Sequence, residues 1–191
     1  QHCKKLTILN VNSNGISDAG GATLLVAISK CTNLLKLNLA RNKLRTMSAE
    51  ALARSMSNWK LSFLKVSEQA SPSRRFRSRS GEVFPLFDSR FVSEQSKQSF
   101  KHLRELILDQ NRIHKREVSE IGAVLPACEQ LVFLSIDDNT IKSHGAASLA
   151  KGLSYCKNLK KLSLRNNKIG QEGIAALTKA LTSCSQLLLL D

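Results

Sequence analysis

LRELILDQNRI, residues 103–113, decides the fold, because its pattern returns as LVFLSIDDNTI at 131–141 and as LKKLSLRNNKI at 159–169. Each reads Leu-x-x-Leu-x-Leu/Ile/Val-x-x-Asn-x-Leu/Ile, and the starts Leu103, Leu131 and Leu159 stand 28 residues apart. Toward the N-terminus LLKLNLARNKL begins at Leu34 and LTILNVNSNGI at Leu6, again 28 apart. The interval from 34 to 103 is 69 and hides one more copy, LSFLKVSEQ at Leu61, with Leu64 and Val66 in phase and Gln69 where asparagine is expected. A partial copy begins at Leu187. Self-similarity at a fixed period marks units that bury their apolar faces only by stacking.

A second pattern lies between the copies. In SDAGGATLLVAISKC, SHGAASLAKGLSYC and QEGIAALTKALTSC, Gly20, Gly145 and Gly173 fall near a helix start. Leu24, Leu149 and Leu177 follow four residues later, then Ile28, Leu153 and Leu181. That spacing draws an apolar stripe along one helical face, with Ser17, Ser143 and Gln171 at the helix entrances. Each unit is a short strand, a turn and a helix. The expected fold is an α/β solenoid, a curved arc with a parallel sheet on the concave face and helices on the convex face.

On these residues the chain resembles the leucine-rich-repeat proteins of the ribonuclease-inhibitor type, whose units are about 28 residues long with full outer helices. That architecture serves ribonuclease inhibitor, intracellular immune receptors and GTPase-activating proteins for Ran. The domain expectation is a single solenoid over 1–191 of about six repeats, starting near 6, 34, 61, 103, 131 and 159 with a partial one at 187. A Ser/Arg-rich insertion over 70–90 interrupts the third: Leu61 to Leu103 is 42 residues, 14 more than its neighbours. The helix remnant after it is SEQSKQSFKH, and the apolar VFPLF (Val83, Phe84, Leu86, Phe87) calls for burial.

The repeat absorbs most residues that would otherwise suggest chemistry. Cys3, Cys31, Cys128, Cys156 and Cys184 each precede the first leucine of a unit by three, so they form a column at the helix-to-strand turn. With repeats about 5 Å apart at the sheet and wider at the helices, all five read as unpaired structural thiols. Unpaired thiols point to an intracellular, cytoplasmic or nuclear, setting. Asn14, Asn42, Asn111, Asn139 and Asn167 form a second column, whose amides satisfy backbone groups of neighbouring turns, with strain expected at the longer Gln69. His2, His102, His114 and His144 share no metal-ligand spacing. No nucleophile–base pair, phosphate loop or carboxylate pair stands outside the repeat, so the expectation is a non-enzyme with no metal, cofactor or small-molecule substrate.

The non-leucine positions of each strand face the concave surface and are free to specify a partner. There Ile107, Val132 and Phe133 form an apolar centre beside an acidic ridge of Asp109, Asp137 and Asp138, flanked by Lys160, Lys161 and Arg165. Apolar centres rimmed by charge are the common plan of protein interfaces. Trp59 and Tyr155 sit in helix-end segments and read as packing residues. The expected function is a protein-binding scaffold using this face, with the insertion's Arg74, Arg75, Arg77 and Arg79 as a secondary site. Ser78 and Ser80, each with an arginine three residues before it, fit a basophilic kinase site.

Net charge is +14 (29 basic minus 15 acidic), which keeps a basic RNA- or ribosome-associated module as the alternative. A Ran-type GTPase regulator is a further alternative; those relatives carry an acidic tail. No apolar run reaches the roughly 20 residues of a membrane span. The ends, QHCKKLTIL and QLLLLD, read as cut from a longer polypeptide.

Overall fold

The computed structural model describes residues 3–69, 85–88, 90, 92 and 94–191. Seven short strands, β1 (Ile8–Asn10), β2 (Lys36–Asn38), β3 (Phe63–Lys65), β4 (Glu105–Ile107), β5 (Phe133–Ser135), β6 (Lys161–Ser163) and β7 (Leu189–Leu190), form one parallel sheet in chain order. The register locks the repeat: Leu9, Leu37, Leu64, Leu106, Leu134, Leu162 and Leu190 lie side by side across it. Each strand returns through a helix, as parallel pairing requires: α1 (Asp18–Ile28), α2 (Thr46–Met56), α3 (Glu94–Phe100), α4 (Lys115–Val124), α5 (Lys142–Leu153) and α6 (Gln171–Leu181). A 3-10 turn at Leu125–Ala127, set by Pro126, ends α4. The core fills the space between sheet and helices. Leu106, Leu108, Leu134, Ile136, Leu162 and Leu164 are all buried. The architecture is the α/β leucine-rich-repeat solenoid that the period predicts.

The asparagine column turns inward as expected and ties unit to unit. Asn139 Oδ1 accepts from the N–H groups of Asn111 (3.0 Å) and Ile113 (2.9 Å), while its Nδ2 donates to the carbonyls of Leu108, Ile136 and Asp137. Asn14 departs from the column. It lies in the first unit, is exposed, and donates only to Asn12 O through its side chain. Gln69 keeps the column going: Nε2 donates to Leu39 O and Ser67 O, and Oε1 accepts from Leu44 N–H. The residue before each amide, Ser13, Arg41, Glu68, Gln110, Asp138 or Asn166, takes φ between 52° and 61°. The chain turns its corner there in the left-handed region, so these side chains leave the strand face.

The cysteine column is corrected at its N-terminal end. Cys3 and Cys31 form a disulfide with Cα atoms 5.1 Å apart. The column sits just ahead of the strands, where units are at sheet spacing and within disulfide reach; the wider helix spacing does not apply. Cys128, Cys156 and Cys184 are free and buried. The Sγ atoms of two of them reach carbonyls at the helix ends of the preceding unit: Cys156 to Leu125 O (3.7 Å), Cys184 to Leu153 O (3.4 Å). Burial pushes the thiol of Cys156 up to about 12 and raises those of Cys128 and Cys184 as well.

Two smaller expectations are corrected. In α1 the buried stripe is Gly21, Leu25 and Ile28, one residue on from Gly20 and Leu24, because Ser48 and Leu44 of the next unit press against Gly21. Ser17, Ser143 and Gln171 lie at the helix entrances as expected: Ser17 caps α1 through Gly20 N–H, Ser143 is in the first turn of α5 and Gln171 opens α6. Trp59 is buried with its indole N–H on Ile28 O (3.2 Å), whereas Tyr155 is 63% exposed and is not a core packing residue.

The segment after the insertion returns to the core. Leu86 and Phe87 are buried, Phe87 meets Phe100 at 5.6 Å between ring centroids, and Asp88 pairs with Arg90 (2.5 Å) and Arg116 (3.5 Å). Hydrogen bonding from Arg90 holds the Asp88 carboxyl below the usual range against the pull of its burial. Val83, Phe84, Ser78, Ser80 and the arginines Arg74, Arg75, Arg77 and Arg79 lie outside the described residues.

Candidate protein-binding face

Alternation along each strand places one leucine in the core and its two neighbours on the concave side. The central concave row follows from the pairing alone: Ile8, Lys36, Phe63, Glu105, Phe133, Lys161 and Leu189 stand in line, one per strand. The next row runs Asn10, Asn38, Lys65, Ile107, Ser135, Ser163. Above the middle strands lies an open depression of about 820 Å³. Phe63, Val132 and Phe133 give it an apolar centre, and Lys36, Arg104, Lys161 and Arg165 stand around that centre.

Of the residues the sequence singles out, Val132, Phe133, Asp137, Lys161 and Arg165 come together around this depression. Val132 and Phe133 are half-buried, as is Ile107, which sits in the next row between Lys65 and Ser135. Lys160 is exposed just before β6. Asp138 lies at the left-handed corner, held by the amides of Gln110 (3.3 Å) and Asn166 (2.7 Å).

The acidic ridge is mostly internal wiring. Asp109 Oδ1 accepts from Ser135 Oγ (2.6 Å) and Asp137 N–H (3.0 Å). Asp137 Oδ1 repeats the contact one unit on, with Ser163 Oγ (2.6 Å) and Arg165 N–H (2.9 Å). Each carboxylate thus stitches its strand end to the next unit. Burial is the main reason that Asp109 titrates above the ordinary carboxylate range; the Ser135 and Asp137 hydrogen bonds oppose it, and the charge of Asp137 adds to it. Glu68, at the same rim, is paired with Arg41 at 2.7 Å. With Asp109 and Asp137 so engaged, the other charges lining the depression are Lys36, Arg104, Lys161 and Arg165 against Glu105 and Asp191.

Phe63 and Glu105, at non-leucine strand positions, belong to this face as well, and the pairing sets Glu105 between Phe63 and Phe133. Among the described residues no group of His, Cys, Asp and Glu is placed to hold a metal ion, and no helix is long and apolar enough to cross a membrane.

A family model described as Leucine Rich repeat matches residues 2–25, 30–53 and 155–177, so the chain carries leucine-rich repeats by sequence as well as by shape. Among solved structures the chain is similar to an internalin (inlF) from Listeria monocytogenes, at 18% identity and a TM-score of 0.46, covering 98% of this chain and 61% of that one. It is also similar to internalin C2 (inlC2) from Listeria monocytogenes, at 14% identity and a TM-score of 0.41, covering 99% of this chain and 81% of that one. The chain thus spans less than two thirds of the first of these proteins. No curated protein sequence matches it.

Proposed function

We propose that this chain is a non-enzymatic scaffold that binds a protein partner on its concave face. The observation that carries the proposal is the depression over the middle strands, where Phe63, Val132 and Phe133 leave apolar surface among charges of both signs, Lys36, Arg104, Lys161 and Arg165 with Glu105, Asp137 and Asp191. Half-buried aromatic groups at the centre of a charged rim are the anchors of most protein interfaces. Lys161 and Arg165 belong to that rim; Ile107, Asp109, Asp137, Asp138 and Lys160 lie at its margin. The outer helices of 10 to 12 residues in α4, α5 and α6 favour the ribonuclease-inhibitor type of repeat. The intracellular placement loses its main support, since two of the five thiols are joined and the other three are too buried to report on redox setting.

Affinity capture from lysate, with and without nuclease and at two salt concentrations, tests the proposal. A protein should be retained after nuclease and lost with Phe133→Ala. Retention that vanishes with nuclease and falls steeply with salt would establish the nucleic-acid alternative instead.

A further inference from the structure

Five consecutive strands present a symmetric row to the concave side: Lys36 on β2, Phe63 on β3, Glu105 on β4, Phe133 on β5 and Lys161 on β6. All five line the same depression. Lys36, Glu105 and Lys161 are exposed, and none of the three makes a salt bridge with a described residue. Among the described residues the ring pair in contact is Phe87–Phe100, so Phe63 and Phe133 stand apart with Glu105 between them. The row is a sequence of unmet demands: anion, apolar group, cation, apolar group, anion.

The spacing selects the form of a ligand that meets all five. Neighbouring strands lie about 4.8 Å apart. Half a heptad along an α-helix rises about 5.3 Å, and residues at i, i+3/i+4 and i+7 share one face. A helix laid across the strands therefore keeps pace with the row, drifting only about 2 Å over its five positions, a slip that lysine side chains absorb. An extended peptide would turn every second side chain away.

We propose that the concave face takes an amphipathic helix of a partner protein whose contact face reads acidic, apolar, basic, apolar, acidic over two heptads. This rests on the concave-face reading above. The central Arg or Lys would meet the Glu105 carboxylate between the faces of Phe63 and Phe133, where a cation gains from both rings. The two acidic residues would meet Lys36 and Lys161. Charge order, more than total charge, would then select the partner.

The probe is a pair of synthetic alanine-rich helices of about 22 residues, long enough to hold helix in water. One carries Glu, Leu, Arg, Leu, Glu at the five positions; the other exchanges Glu and Arg, and both are brought to the same net charge by residues on the far face. Fluorescence anisotropy against the whole chain should show the first binding about tenfold more tightly, the order expected from one cation–π site and three exposed ion pairs. The triple variant Lys36→Glu, Glu105→Arg, Lys161→Glu should reverse the preference, and Glu105→Arg alone should shrink it to a few-fold, because Lys36 and Lys161 still favour the acidic ends; thermal melts verify that both variants fold. Equal binding of the two helices, or a preference unchanged in the variants, overturns the proposal. If the helices are not distinguished while Phe133→Ala still releases the lysate partner, the row pattern fails and the concave reading stands; if neither responds, both fall.

Discussion

Ahead of β5 and β6 the column residue is a cysteine, Cys128 or Cys156, small enough to sit under a full helix; ahead of β3 it is Trp59, and ahead of β4 it is Phe100. The duty is the same. Trp59 N–H bonds Met56 O much as Cys128 N–H bonds Leu125 O, and the Trp59 indole meets Ile28 O much as the Cys184 thiol meets Leu153 O. The units differ in what must be filled. α3 has 7 residues where α5 has 12, and the volume it leaves is taken by Phe100, by Leu86 and Phe87 from the end of the insertion, and by Val92. The lesson is that repeat positions specify tasks, such as closing a helix end, bridging a turn or filling a layer, and that an irregular unit meets them with other residues.

The largest effect that can break this comparison is in that filling. Phe100→Ala should remove about 3 to 5 kcal/mol in denaturant melts, on a par with the roughly 2 to 5 kcal/mol of Leu134→Ala in the regular stack. A loss under about 1 kcal/mol for Phe100 would mean that the third unit is loosely filled and its similarity of duty only apparent.

Within the cysteine column the contrast is between a bridge and buried thiols. Reducing Cys3–Cys31 should cost about 2 to 4 kcal/mol of stability, the usual range for such a link. Once it is reduced, a bulky maleimide should label Cys3, which is exposed, and leave Cys128, Cys156 and Cys184 unmodified until denaturant is added. Native-state labelling of Cys128 or Cys156, read by mass spectrometry, would show the column to be open.

Smaller again is the amide column. Asn139→Ala orphans the buried N–H groups of Asn111 and Ile113 and should cost at least about 1 to 3 kcal/mol. Gln69→Ala, at a half-buried position, should cost less. Equal losses would mean that glutamine serves the turn as well as asparagine does.

The smallest effect concerns Asp18, whose carboxylate caps a neighbour's helix by accepting from the N–H groups of Arg45 (2.9 Å), Met47 (3.1 Å) and Ser48 (2.8 Å). Burial pulls its titration up, but the bonds from Ser48, Arg45 and Met47 outweigh that pull and hold it below the ordinary value. A folded-state value below the unfolded one contributes stability at neutral pH that fades as pH falls through the ordinary carboxylate value and below. Asp18→Asn should cost about 1 kcal/mol at pH 7 and flatten that acid limb. Parallel pH–stability curves for the two proteins would remove the capping role.

The fold was legible because Leu106, Leu134 and Leu162 obey one spacing, and a repeat read at three sites fixes the rest. The register of α1 was not, because Gly20–Gly21 and Leu24–Leu25 offer two equivalent stripes, and only Ser48 and Leu44 of the next unit choose between them. The disulfide was missed through placing the column at helix spacing. At the candidate face, the clustering of Val132, Phe133, Lys161 and Arg165 was legible from the strand pattern alone. The engagement of Asp109 and Asp137 was not, since it depends on Ser135 and Ser163 one unit away. Nor was the row through Phe63 and Glu105, which needs the pairing of β3 with β4 across the insertion.

The most direct test of concave-face binding is to titrate the captured partner against two variants, Phe133→Ala and a deletion of residues 71–82. The account predicts that Phe133→Ala raises Kd about 30-fold or more, as loss of a central aromatic anchor does, with little change in melting temperature. It predicts that the deletion changes Kd by less than about threefold, because the aromatic anchor is on the concave strands. A silent Phe133→Ala together with loss of binding on deletion would contradict it and move the site to the arginine-rich insertion.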